Sequence, residues 1–309
     1  MQQAPSQGWP RVGRITTHDW GLNPRQAAAL QRRLAGQAVH VDQLPAVHSI
    51  AGVDVAFEAG GDITRAAAVL FDAQTLLPVA AALARMPTRL PYVPGLLSFR
   101  EAPAIVEALA ALPPVDLLLC DGHGYAHPRR LGVACHLGLV SGLATIGVAK
   151  SRLVGEYAAP ASGRGAWTSL RHEEEVIGAV LRSRTGVKPI FVSSGHRTSL
   201  ETAVDWALRC HRGRRLPEPV RLADKLAAGS FQMQGHDRIL LPGYAQPLKV
   251  YYREDGKNVE PMDLYKLGGA GARSAGPRHW PGSDRERAGH KRKAPATGRG
   301  AQGVSTGRG

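Results

Sequence analysis

The chain has 309 residues, is 43% hydrophobic and carries a formal net charge of +14. That length supports one large domain or two small ones, and no apolar run reaches the roughly 20 residues that cross a bilayer. MQQAPSQGWPRVGR lacks the apolar stretch of a secretory signal, and Cys120, Cys135 and Cys210 show no zinc-type spacing, so a cytoplasmic protein without membrane contact is expected.

NPRQAAALQRRLAG reads as a helix, with Asn23 as cap, Pro24 in the first turn, and Ala27, Leu30 and Leu34 on one side. HSIAGVDVAFE is expected as a strand, with Val53, Val55 and Phe57 facing one way and Gly52, Asp54 and Ala56 the other. RAAAVLFDAQT and PVAAALARMPT continue an antiparallel meander. SFREAPAIVEALAAL is expected as a helix starting near Ser98, and VDLLLCD as a strand buried on both faces. HPRRLGVACHLGLVSG then predicts a helix with Pro128 in its first turn. ATIGVAK reads as a strand, EEEVIGAVLRSRTG as a helix, KPIFVSSG as a strand and TSLETAVDWALRCHRG as a helix. Three early strands followed by alternating helix and strand favour an α/β fold, a mixed sheet flanked by helices.

This domain is expected to occupy residues 1–230. Residues 231–269 form an unassigned extension with a candidate hairpin, LKVYYREDGKNVEPMDLY, turning at Asp255-Gly256. Residues 270–309 hold nine Lys/Arg against two acids, half of the chain's net charge, in a Gly/Ala/Ser/Arg/Pro-rich stretch. They read as a disordered basic tail. The remaining charge is a modest pointer to a polyanionic partner.

Three acids stand out by position. Asp54 lies mid-strand between Val53 and Val55, Asp121 ends the most apolar strand, and Glu101 opens a helix after PYVPGLL. Strand ends beside Gly-rich turns are where open α/β sheets place their sites. Hard oxygen ligands converging from separate elements suit Mg²⁺ or Mn²⁺. Plainer roles compete: SFRE is a capping-box pattern for Glu101, Asp121 could cap its turn, and Asp54 could face solvent.

Around them, Gly122 and Gly124 allow close approach by a ligand. His123 and His127 suit zinc less well than a phosphate-binding loop. Lys150 ends its strand as a candidate phosphate or leaving-group contact, or as an ordinary strand-end lysine, and His196 lies at another strand end. In PYVPG, Pro91 and Pro94 stiffen a segment holding Tyr92, either a wedge between bases or a packed turn tyrosine.

Taken together, IAGVDVAF, PYVPGLLSFRE, DGHGYAHPRRLGVACHLG, GVAKSRL, SSGHRTSLETAVDWALRC and RLPEPVRLADKLA resemble the endonuclease V family over residues 20–228. The resemblance implies an RNase H-like fold and a Mg²⁺-dependent nuclease, with Mn²⁺ able to substitute. It implies Asp54, Glu101 and Asp121 as the metal and catalytic centre, joined by Asp224 near the metal, with Lys150 and His127 in support. Tyr92, between Pro91 and Pro94, would be the wedge. Gly95, Leu97, Gly122, Gly132, Gly147 and Ala149 would line a pocket for a flipped hypoxanthine. The implied reaction is hydrolysis of the second phosphodiester bond 3′ to deoxyinosine, leaving 3′-hydroxyl and 5′-phosphate ends. DNA with deaminated bases is the implied partner. Inosine-containing RNA as substrate, and a non-catalytic binder of inosine, are the competing readings. A monomer is expected.

Overall fold

The computed structural model describes residues 18–259; the expected basic tail at 270–309 lies outside them. In chain order the helices are α1 (Pro24–Ala35), α2 (Leu97–Ala111), α3 (Val133–Ser141), α4 (Leu200–Arg209) and α5 (Glu218–Ala227). The strands are β1 (Ser49–Glu58), β2 (Ile63–Asp72), β3 (Pro78–Pro87), β4 (Leu117–Asp121), β5 (Ala144–Ala149), β6 (Trp167–His172), β7 (Glu175–Leu181) and β8 (Ile190–Ser194). Past the last helix come β9 (Gln232–Met233), β10 (Arg238–Leu240), β11 (Leu248–Glu254) and β12 (Lys257–Asn258). They form one mixed sheet in the order β6-β7-β8-β5-β4-β1-β2-β3-β11-β10-β9, with β12 on β11.

The expected meander is present: β1, β2 and β3 pair antiparallel. β4 and β5 then join β1 in parallel, and β8 returns antiparallel to β5. Alternation along β1 divides the core. Ala51 and Val53 pack with Ala102 and Ile105 of α2, while Gly52 lies beneath α5, where an added Cβ would collide with the Pro219 carbonyl. Alanines on β2 and β3 are almost fully buried, and their small side chains let helices approach both faces.

Three local expectations need correction. EEEVIGAVLRSRTG is strand β7, paired with β6 and β8; the β-branched Val176, Ile177 and Val180 suit a pleated surface. The α3 helix begins at Val133, since Arg130 has φ +57° and Gly132 is the N-cap. SFRE is not a capping box, because the N-cap of α2 is Leu96 and makes no side-chain capping bond. Ser98 Oγ instead bonds His136 Nδ1 at 2.9 Å, which leaves the Glu101 carboxylate free of capping duty.

The α1 cap is as expected: Asn23 and Gln26 exchange two 3.0 Å bonds. The Asp255-Gly256 hairpin also forms, between β11 and β12, and β11 pairs in parallel with β3 from Lys249↔Ala80 to Glu254↔Arg85. The extension therefore continues the main sheet.

Candidate active site

Parallel pairing sets Val53 of β1 beside Cys120 of β4. The next residues, Asp54 and Asp121, are therefore lateral neighbours on the face that carries Gly52 and Leu119. Because Gly52 has no side chain, α5 lies directly on β1 and brings Asp224 over the same spot. One carboxylate oxygen from each of Asp54, Asp121 and Asp224 falls within 4.8 Å of the others.

Lys150, one residue past β5, answers part of this charge. Its Nζ lies 2.5 Å from Asp121 Oδ2 and 2.9 Å from Asp224 Oδ1. Burial alone would lower the lysine pKa, but the Asp121 and Asp54 carboxylates raise it above the usual value. Burial, then the Asp121 charge, pushes Asp54 well above the ordinary carboxylate range, although its Oδ1 accepts the Val55 N–H at 2.7 Å. Glu101, buried on α2, is pushed up to about 8 by burial and then by Asp121. It enters the cluster through this field and is not one of the three residues whose oxygens converge. Lys150 is the one cation bonded to these acids, with Arg100 acting on Glu101 and Arg215 on Asp121 as further charges. Three hard oxygen donors from separate elements fit a divalent cation.

His123 and His127 bond neighbouring backbone. His123 Nε2 bonds the Ser151 carbonyl at 3.0 Å. Both His127 ring nitrogens are occupied, Nε2 against the Gly95 carbonyl at 3.0 Å and Nδ1 accepting the Arg129 N–H at 3.1 Å. His196 is structural, accepting the Val39 N–H at Nδ1.

The glycines are explained first by the chain itself. A Cβ on Gly132 would collide with the His123 carbonyl, one on Gly124 with the Ser194 carbonyl, and one on Gly147 with the Gly124 N–H. The close approach expected of a ligand at Gly124 is thus made by neighbouring backbone. Gly122, at φ +141°, is the position where the turn after β4 needs glycine. Ala149 is buried beside these residues, while Gly95 and Leu97 are partly open. Tyr92 is half exposed between exposed Pro91 and Pro94.

Three side chains at this end of the sheet, Gln31, Arg129 and Arg215, carry little sequence signal. Gln31 and Arg129 hold the Gly95 carbonyl together with His127, at 3.0 and 2.7 Å. The one visible hint is Gln31 itself, an amide on the apolar stripe of α1. Arg215 donates to the carbonyl of Lys150 at 2.6 Å, fixing the segment that carries the lysine.

An Endonuclease V family model matches residues 32–225. Endonuclease V of Azotobacter vinelandii is 58% identical over 211 residues, spanning 68% of this chain and 96% of that protein. The crystal structure of endonuclease V from Streptomyces avermitilis superposes with a TM-score of 0.64 at 44% identity, covering 67% of this chain and 92% of its own. Endonuclease V of Ciona intestinalis, solved with a 23-mer DNA containing an inosine followed by a ribo-adenosine, gives 0.58 at 27% identity, with 67% and 97% covered. The acidic residues brought together at the sheet edge fall within the matched span, and the chain belongs to the endonuclease V family.

Proposed function

We propose that the protein is a divalent-metal-dependent nuclease that hydrolyses the second phosphodiester bond 3′ to deoxyinosine in DNA, leaving 3′-hydroxyl and 5′-phosphate ends. The observation that carries this reading is the convergence of Asp54, Asp121 and Asp224 around the Lys150 ammonium. The Ciona relative's complex with inosine-containing DNA supports the choice of lesion.

Asp54, Asp121 and Asp224 would hold Mg²⁺, with Mn²⁺ able to replace it. A bound divalent ion supplies a polarised phosphoryl oxygen, an acidified water and charge neutralisation at the leaving oxygen. Glu101, pushed up to about 8 by burial and then by the Asp121 charge, would serve as a proton acceptor for the attacking water. Lys150, held cationic by its carboxylate neighbours, would stabilise the leaving 3′-oxygen. Tyr92 would wedge into the strand, and a flipped hypoxanthine would be received near Gly95, Leu97, Gly122, Gly132, Gly147 and Ala149. Flipping costs a few kcal/mol, least for a weakly paired base.

The test is a nicking assay on labelled duplex DNA with one central deoxyinosine, with and without Mg²⁺, using wild type and Asp121→Ala. Metal-dependent cleavage one nucleotide 3′ of the lesion, lost in the variant, is expected. Tight inosine binding with no cut under either metal would favour a non-catalytic binder. A second reading, RNA as the main substrate, is favoured by the ribo-adenosine that follows inosine in the Ciona complex. Matched DNA and RNA oligonucleotides separate the two by relative rate.

A further inference from the structure

Away from the acidic centre, Arg164, Arg184, Thr185, His211 and Gly213 line a shallow depression of about 600 Å³. Among the described residues no carboxylate lines it. The surrounding sequence is equally one-sided: neither Leu181 to Leu200 nor Trp206 to Pro217 contains an Asp or Glu, and each stretch holds four Lys/Arg.

The donors are arranged rather than merely dense. His211 Nδ1 accepts the Gly213 N–H at 3.2 Å, so the ring hydrogen resides on Nε2. That Nε2 is buried, and the ring also meets the Arg214 backbone. Burial, then Arg164, keeps the imidazole below its usual pKa, leaving it a neutral N–H donor. The Arg164 guanidinium is anchored on the Leu208 carbonyl at 3.2 Å, and its backbone N–H donates to Thr185 Oγ1 at 3.3 Å. The Thr185 hydroxyl hydrogen is thereby left to donate outward. Arg184 is exposed and makes no hydrogen bond or ion pair among the described residues. Nothing lies within 4 Å of where a Gly213 side chain would begin. Two guanidiniums and a hydroxyl, beside an imidazole that Glu218 reaches only as a minor charge, match the acceptor oxygens of a phosphate group.

Strand pairing locates the depression. Ala149 pairs with Phe191, Ile190 with Leu181, and Leu181 with Trp167. The end of β7 and the start of β6 therefore share a sheet edge with the end of β5 and Lys150. Two strand spacings, about 10 Å, separate β5 from β7. The loop is also tied directly to the centre, since Arg215 donates to the carbonyls of Lys150 at 2.6 Å and Pro189 at 2.8 Å. Four residues of chain, at most about 14 Å, join His211 to Arg215. We propose that this depression binds a backbone phosphate of the nucleic-acid strand, a few nucleotides from the bond at the acidic centre. The proposal rests on the reading of the protein as a nuclease but not on inosine as its lesion.

The test measures affinity for a fluorescent duplex without inosine, in EDTA, across a NaCl series, using full-length wild type, Arg184→Gln and Arg164→Gln/Arg184→Gln. Each phosphate contact contributes about 0.9 to the slope of log affinity against log salt. The double variant is expected to bind about tenfold more weakly at low salt, with a slope shallower by about 1. Should the double variant fail to fold, Arg184→Gln, altering an exposed side chain, carries the measurement. Equal slopes in folded proteins would overturn the proposal. So would calorimetric binding of inorganic phosphate that the variants lose while the DNA slope stays constant, since the site would then serve a free anion. Failure of wild type to nick deoxyinosine DNA would sink the proposed lesion, yet leave the inosine-free slopes as a separate result.

Discussion

The Arg129 Nε donates to Gln31 Oε1 at 2.6 Å, and both side chains donate to the Gly95 carbonyl, where His127 adds a third bond. This clamp holds the segment running from Tyr92 into α2. Gln31 is 1% exposed and also donates to the Leu131 carbonyl at 2.9 Å. Gln31→Met keeps the volume but removes these donors and leaves Leu131 under-satisfied. A loss of about 1–3 kcal/mol is expected, read by urea unfolding. Faster amide exchange confined to residues 93–96 and 131 would identify the clamp as the part loosened; a uniform change along the chain would contradict it.

Asp54 is a half-buried carboxylate crowded by another. Asp54→Asn removes that repulsion while Lys150 keeps Asp121 and Asp224. The variant is expected to be about 1 kcal/mol more stable than wild type without metal and to lose nicking by about 100-fold or more. Parallel unfolding and nicking curves check both halves. A less stable variant would show that the acids are not strained against one another.

Much of this site was legible because strand alternation and strand ends are written in the sequence: Asp54 between valines, Asp121 closing an apolar run, Lys150 closing the next. What was not legible depends on contacts between distant segments. The glycines at 124, 132 and 147 read as room for a ligand, yet each first meets neighbouring backbone. Glu101 looked explained by Ser98 until that hydroxyl was found bonded to His136, 38 residues away. β7 reads as a helix because three leading glutamates and an alanine mimic helical composition, while its strand partners β6 and β8 are set by pairing alone. The Gln31 clamp and the Arg215 anchor rest on bonds spanning 64 and 65 residues, which local pattern does not encode.

Gly52 makes a sharp prediction about α5. A methyl group there would collide with the Pro219 carbonyl, so Gly52→Ala must push the helix, and Asp224 with it, off the sheet. Overpacking of this kind costs about 1–3 kcal/mol. Because the displaced helix carries an acid of the centre, affinity for Mn²⁺ by calorimetry should fall at least several-fold. A variant destabilised but binding Mn²⁺ as wild type does would separate Asp224 from the metal.

Strands β9–β12 lie beyond the span matched by the family model, yet β11 covers the edge of β3. Val250 and Tyr252 are buried there, and Glu254 pairs with Arg85 at 2.9 Å, which also holds Glu58 at 2.8 Å. Truncation after residue 230 would leave the β3 backbone unpaired and open this apolar surface, a template for edge-to-edge association. Light scattering should show concentration-dependent aggregation of the truncated chain. Its soluble fraction should keep nicking activity per molecule, because Asp54 on β1 and Asp121 on β4 lie three and four strands from β11 across the sheet. Full solubility with unchanged stability would mean that the extension contributes nothing to the edge.

Acid should loosen the molecule through its buried histidines. Burial pushes His136 down to about 3, and it pushes His123, His127 and His196 down to about 4. Each is neutral in both states above its unfolded value near 6.5. As pH falls below that value the unfolded chain takes up protons that the folded chain refuses, so stability drops until the folded pKa is reached. Each such group contributes about 1.4 kcal/mol per pH unit inside this window. His136 is fully buried and bridges Ser98 Oγ and, at 2.7 Å, His18 Nε2. His136→Gln keeps a polar side chain without the titration. Its urea midpoint should be lower than that of wild type at pH 7, where the bridge is intact. The gap should narrow by about 1.4 kcal/mol per unit between pH 6 and pH 4; parallel pH profiles for the two proteins would show that the ring is already protonated in the fold.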